Sequence, residues 1–253
     1  MIYFLADAHL GSKLEKEPRS HEMKMVRWLD MVKKDASHIY LLGDIFDFWF
    51  EYRTVVPKGF VRLLGKLAEI TDAGIEVHFF IGNHDLWTFG YLEREVGLKV
   101  HYKPFTVEHH GKWFFMAHGD GFVDSGKRFT ILRSIFHSNI AQQLFALVPP
   151  YIGQQIGYNW SKHNRTKLHN GSKKYFSKQK IEELPYLSFA ENYQSKPPID
   201  FFVFGHRHMD VSRRLSNGSQ LTILGDFMKI FSYGVFDGER MELRYFERIT
   251  NNE

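Results

Sequence analysis

The sequence predicts an α/β fold carrying a helical insertion. Five short apolar runs, each suited to a buried strand, stop at a cluster of Gly, Asp, Asn or His. Amphipathic patterns of helical period separate the first three runs, and a stretch of different character, Lys127 to Lys196, lies between the fourth and fifth. In open α/β sheets ligands bind beyond the carboxyl ends of strands, so the clusters are expected on one rim.

The first run, Ile2 to Ala6, ends at Asp7. Met23, Val26, Leu29 and Val32 then recur at near-helical spacing and predict a helix from about Ser20 to Lys34. Ile39 to Leu42 ends at Gly43-Asp44, and Phe60, Leu63, Leu64, Leu67 and Ile70 give a second helix closed near Gly74. Ile75 to Ile81 ends at Gly82-Asn83-His84-Asp85. Phe105 to His109 and Trp113 to Ala117 pair about His110-Gly111, and the second of them ends at His118-Gly119-Asp120. Ile199 to Phe204 ends at Gly205-His206-Arg207-His208. From Val211 to Phe246 strands are expected, with turns at Asn217-Gly218 and Asp237-Gly238.

In the stretch from Lys127 to Lys196, Phe129, Leu132, Ile135 and Phe136, then Leu144, Phe145, Leu147 and Val148, follow helical spacing. Pro149-Pro150 breaks the pattern, and a basic, polar helical run continues from Gln154 to Lys180. This predicts an insertion that covers the site. Its apolar residues either dock the helices on the body or line a pocket for a ligand.

The 253 residues contain no cysteine, which excludes disulfides, thiolate zinc sites and thiol nucleophiles. Any transition-metal site must draw on Asp, Asn, Glu and the 14 His. A net charge of +4 suits anionic partners, or reflects no more than a modest Lys/Arg excess. No apolar run approaches the ~18 residues that a membrane span needs. The opening MIYFLADAHLG lacks a basic start and meets Asp7 early, so it makes a poor signal peptide. A cytoplasmic chain is expected, able to touch a membrane surface.

Within the clusters, Asp7 and His9, and likewise His206 and His208, are separated by one position. On an extended segment that spacing sends both side chains to one side. The glycines before Asp44, Asn83 and His206 permit a sharp turn. A sulfur-free set of His, Asp and Asn fits Mn, Fe or Zn better than a dedicated calcium site. Seven ligands exceed the needs of one cation, whereas two cations sharing a carboxylate would use them all. His21, His38, His78, His101, His109, His110, His137, His163 and His169 read as ordinary surface or core histidines. Asp47 and Asp120 read as turn caps or supports for the ligands, and for Asp226 ligand and structural roles both stay open.

The ordered pattern D-x-H, GD, GNH[DE], H, GHxH resembles the calcineurin-like metallophosphoesterases, over about Met1 to Lys127 and Ile199 to Phe246. The resemblance implies an αββα sandwich of two mixed sheets flanked by helices, with the helical stretch 127–196 as a cap within one domain spanning 1–253. It implies that Asp7, His9 and His208 hold one divalent cation and that Asn83, His118 and His206 hold a second, with Asp44 bridging. His84 then acts on the phosphate or the leaving group, with Asp85 orienting it.

IYFLADAHLG, GDIFDFW and HGDG, with the insertion, are most similar to the UDP-2,3-diacylglucosamine pyrophosphohydrolases of lipid A synthesis. That implies manganese, release of UMP and 2,3-diacylglucosamine 1-phosphate, and peripheral contact with the inner membrane. Substrate contacts would come from Asn83, His84, Ser161, Asn164, Lys167 and His206. One departure is His84, where the subfamily carries arginine, a permanently charged phosphate donor. It leaves open a related hydrolase acting on another phosphodiester or phosphomonoester. An apolar-faced insertion argues against a nuclease, and intact ligand positions argue against an inert metal-binding scaffold. No nucleic-acid or obligate protein partner is called for.

Overall fold

A computed structural model describes residues 1–122, 134–175 and 184–247, with the side chains of 164–175 outside the description. Two mixed sheets face each other, as the αββα expectation requires. The first holds β1 (Ile2–Leu5), β2 (His38–Leu41), β3 (Glu76–Phe80), β4 (Lys99–His101), β10 (Ser232–Phe236) and β11 (Met241–Tyr245), in the order β11-β10-β1-β2-β3-β4. The second, β5-β6-β7-β9-β8, uses β5 (Phe105–His109), β6 (Lys112–Ala117), β7 (Phe201–Phe204), β8 (Asp210–Arg214) and β9 (Gln220–Leu224). Strands β1, β2 and β3 run parallel, as do β6, β7 and β9.

Alternation along the central strands decides which layer each residue joins, because successive side chains leave opposite faces. Phe4, Tyr40 and Phe80 point between the sheets and meet Phe114, Met116, Val203 and Phe236. Tyr3, Leu5, Ile39, Leu41, Val77 and Phe79 point outward, onto α1 (Pro18–Val32) and α2 (Val61–Asp72) through Trp28, Leu29, Leu63 and Leu67. On the far side Phe115, Phe202, Phe204 and Ile223 are covered by Tyr186, Leu187 and Ala190. Strands buried on both faces read as continuous apolar runs, which is why these runs were legible. Burying each Phe or Leu contributes about 1.5–3 kcal/mol.

Three short elements carry no sequence signal: α3 (Tyr91–Val96), β4 and α6 (Pro185–Asn192). The last falls inside 127–196 but packs on the second sheet instead of covering the rim. The remaining described helices of that stretch, α4 (Asn139–Ala146) and α5 (Pro150–Tyr175), are joined at the Pro149-Pro150 break. They dock through Phe145 on Phe48, Phe50 and Trp87, and through Tyr158 on Phe48. At Gly157 an added Cβ would stand 2.3 Å from the Phe48 ring, so the helix approaches as closely as a residue without a side chain allows. Docking therefore accounts for Phe136 and Phe145, while Ile135, Leu144 and Leu147 face solvent. Phe129 and Leu132 lie outside the described residues. No described helix is long and apolar enough to cross a membrane.

Candidate metal centre

The loops following β1, β2, β3, β6 and β7 meet at one rim, and that after β9 joins them with Asp226. Two groups of three side chains converge there: Asp7, His9 and His208, and Asp44, His118 and His206. A third, His9, Asp44 and His84, joins them. Within each group one ligand atom per residue lies within 4.8 Å of the others. Asn83 stands beside the second group, with its Oδ1 3.3 Å from His118 Nε2.

Left-handed backbone, not strand alternation, aims these residues. Asp7, His9, Asp44, His206 and His208 have φ of 56°, 44°, 53°, 69° and 50°. The extended geometry expected for the two one-residue spacings is thus replaced by strained turns. Asp and His tolerate that region better than branched residues, and such strain collects at functional sites at a cost of about 1–3 kcal/mol per residue. Gly43 makes its turn at φ 84°, as its position before Asp44 suggested. Gly82 serves differently: a Cβ there would lie 2.2 Å from Asp44 Oδ1. Close approach, not turn geometry, requires glycine at that position.

Hydrogen bonds settle which imidazole nitrogen faces the centre. His118 Nδ1 lies 2.8 Å from the Leu42 carbonyl, which can only accept, so Nδ1 carries a proton and Nε2 is the atom turned to the centre. His84 is placed the same way, its Nδ1 donating to the Asp47 carbonyl at 2.9 Å. The Nε2 atoms of His9 and His208 face each other at 3.3 Å. Their Nδ1 atoms lie 3.6 Å from Asp47 Oδ1 and 3.5 Å from Asp226 Oδ2. Asp47 and Asp226 thus stand behind two of the expected ligand histidines, and of the two roles open for Asp226 the structure shows contact with His208.

The role of Asp85 needs correction. It does not orient His84. Its two oxygens accept from the backbone N–H groups of Gly82, Asp44, Ile45 and Phe46 at 2.8, 3.1, 2.7 and 3.2 Å. It is the peg that fixes the loop carrying Asp44. Ser161 also differs from expectation, because its buried hydroxyl donates to Asp47 Oδ1 at 2.8 Å. Asn164 and Lys167 lie on α5 beyond Ser161, and their side chains are outside the described residues.

The electrostatics call for positive charge. Burial pushes the Asp7 carboxyl up to about 6, although His208 and His118 oppose the shift. Burial and then Asp44 push Asp85 up to about 7. For Asp44 burial acts upward too, but His118 and His84 outweigh it and hold the carboxyl well below its usual range. Burial lowers His206 to about 3, leaving its imidazole neutral. Asp7 Oδ1 is buried and accepts no hydrogen bond, yet it stands 3.8 Å from His9 Nε2 and 3.6 Å from His208 Nε2. Ligand atoms around a cation with ~2.1 Å bonds sit roughly 3–3.5 Å apart. A divalent ion fits this donor set.

Comparison with known proteins identifies the family. The family model for calcineurin-like phosphoesterases matches residues 1–210. A UDP-2,3-diacylglucosamine hydrolase from Porphyromonas gingivalis is 40% identical over 97% of each chain. Another, from Photorhabdus laumondii, is 25% identical over 81% of this chain and 80% of its own. Among solved structures, the phosphoesterase Yfce from E. coli aligns with 97% of this chain and 93% of its own, at TM-score 0.48 and 15% identity.

A bound cation must displace the protons that burial retains. Because Asp7 is held near 6, Mn²⁺ binding at pH 6 should release protons, and apparent affinity should rise as pH increases from 5 to 7. Calorimetric titrations in buffers of different ionisation enthalpy measure this directly. Binding heat that is independent of buffer would contradict the assignment of Asp7 as a ligand.

Proposed function

The chain belongs to the calcineurin-like phosphoesterase family, and within it we propose that the protein hydrolyses the diphosphate of UDP-2,3-diacylglucosamine, releasing UMP and 2,3-diacylglucosamine 1-phosphate. The observation that carries this reading is the pair of ligand groups, Asp7/His9/His208 and Asp44/His118/His206, brought together by a 3.7 Å approach of His9 to Asp44. The relatives' names supply the substrate.

Asp7, His9 and His208 would hold one divalent cation, Asn83, His118 and His206 the other, with Asp44 between them and manganese as the metal. Such a pair would supply charge neutralisation at the phosphoryl group and a more acidic attacking water. The chain's own residues provide the rest. Asp85 holds the Asp44 loop rigid, and the Leu42 carbonyl keeps Nε2 of His118 aimed inward. With Nδ1 committed to Asp47, His84 has only Nε2 with which to bind the phosphate or pass a proton to the departing oxygen. Asn83 and His206 flank the same phosphate. Ser161 acts by fixing Asp47, while Asn164 and Lys167, further along α5, would serve the substrate as the resemblance implies.

The insertion gives this reading its lipid side. Ile140, Leu144, Leu147 and Tyr151 form one stripe over α4 and the start of α5, exposed by 71, 62, 79 and 75%. Residues 125–181 carry ten Lys and Arg and not one Asp or Glu, whereas the rest of the chain is net acidic. An exposed apolar stripe on a basic segment suits an anionic membrane surface. On this reading the protein would work as a peripheral protein at the cytoplasmic face of the inner membrane.

Two measurements check these assignments. Metal-loaded protein should release UMP from UDP-2,3-diacylglucosamine, and His84→Ala should slow substrates with poor leaving groups by about 10²–10⁴ while affecting a nitrophenyl ester far less. An equal loss on every leaving group would assign His84 to phosphate binding alone. In flotation assays the protein should follow vesicles rich in anionic phosphatidylglycerol, and Leu144→Asp with Leu147→Asp should release it. Equal flotation of wild type and variant would exclude the stripe as the contact.

A further inference from the structure

The diphosphate reading leaves one half of the substrate without a place. Around phosphorus, the leaving group and the nucleoside ester point in different directions, so each needs its own subsite. His84, Asp47 and Ser161 mark the side toward α5. Two cavities of about 250 and 550 Å³ open on the other side, and neither is lined by any of those three residues. The smaller begins at His118 and Gly82, against the candidate cations, and runs past Asp120 to Tyr102 and Lys103. The larger continues from Ile81, Tyr102 and His137, which line both, to Phe89, Asn139 and Gln142. The β4–β5 turn that carries Tyr102 and Lys103 follows a strand parallel to β3, so it reaches the same rim as Asn83.

Resting on that reading of the substrate, we infer that this groove is the nucleoside subsite, with uridine extending from the metal centre between the β4–β5 turn and the N-terminal end of α4. Its lining carries groups suited to each part of a nucleotide. The Asp120 carboxylate, two residues beyond His118, can accept the ribose hydroxyls, and the Lys103 ammonium lines the same cavity and favours an anionic occupant. Tyr102 offers a ring exposed by 49%, anchored by its hydroxyl, which donates to Glu93 at 3.0 Å and accepts from Thr88 at 3.2 Å. Phe89, exposed by 45%, offers a second apolar face. A fixed aromatic ring is a stacking platform for any base, so it gives affinity without choosing the base.

Gln142 makes the choice. Its amide nitrogen donates to the Phe136 carbonyl at 3.0 Å, which fixes the amide and leaves Oε1 as the acceptor. Uracil carries a donor at N3 where cytosine carries an acceptor, so a fixed carbonyl oxygen in the groove selects uracil.

The test uses the full-length, Mn²⁺-loaded protein with UMP and CMP as probes, by calorimetry and as product inhibitors. UMP should bind more tightly than CMP. Gln142→Leu should weaken UMP about tenfold and erase its advantage over CMP, as expected for one lost buried hydrogen bond. Lys103→Ala, on a separate loop, should weaken both nucleotides together and lower kcat/KM for the UDP-linked substrate relative to an aryl phosphodiester. UMP affinity unchanged in both variants, with the wild type turning over UDP-2,3-diacylglucosamine, would overturn the subsite and leave the function standing. A wild type that binds UMP selectively and loses it in the variants, but does not cleave that substrate, would overturn the substrate and keep the groove.

Discussion

Asp7, Asp44 and Asp85 are buried at one rim, and a carboxylate taken out of water is costly unless hydrogen-bond donors or positive charge replace that water. The chain meets the need in two ways. Asp85 takes four backbone N–H groups and becomes a structural peg. Asp7 and Asp44 are ringed by imidazole nitrogens at 3.3–3.8 Å, too far for good hydrogen bonds and spaced as ligands around an ion. The strained backbone at five of the seven expected ligands follows from that arrangement, since left-handed turns crowd these side chains together.

The same network reaches the insertion. Asp47 receives Ser161 from α5, offers its carbonyl to His84 and places a carboxylate oxygen near His9. A shift of α5 would therefore be felt at His84 and His9 without any direct contact between them and the helix. This gives a physical route by which the insertion can adjust the placement of His84. The aromatic docking of Phe145 and Tyr158 on Phe48 and Trp87 keeps that segment in register.

Much of this was legible in the sequence because the signals were either apolar runs or chemistry-bearing clusters. Runs such as Ile39–Leu42 and Ile199–Phe204 announce strands buried on both faces, and the Gly/Asp/Asn/His clusters announce the rim. What could not be read depended on contacts distant in the chain. The resemblance paired Asp85 with His84, but its partners are backbone groups, three of them about 40 residues away. Asp226 and Asp47 support histidines through tertiary approach alone. Helix α6 looked like part of the insertion because its pattern is ordinary, and only packing against Phe204 assigns it to the second sheet. Leu144 and Phe145 are neighbours in one apolar pattern, yet one docks and the other faces solvent.

In the proposed site Asp44 would bridge two cations, one held by Asp7, His9 and His208 and the other by Asn83, His118 and His206. Electron paramagnetic resonance of protein loaded to saturation with Mn²⁺ tests it most directly, because a shared carboxylate couples the two spins. An exchange-coupled pair is expected at two Mn per chain, reduced to an isolated ion in Asp44→Ala. The spectrum of isolated Mn²⁺ in the saturated wild type, at one ion per chain, would contradict it.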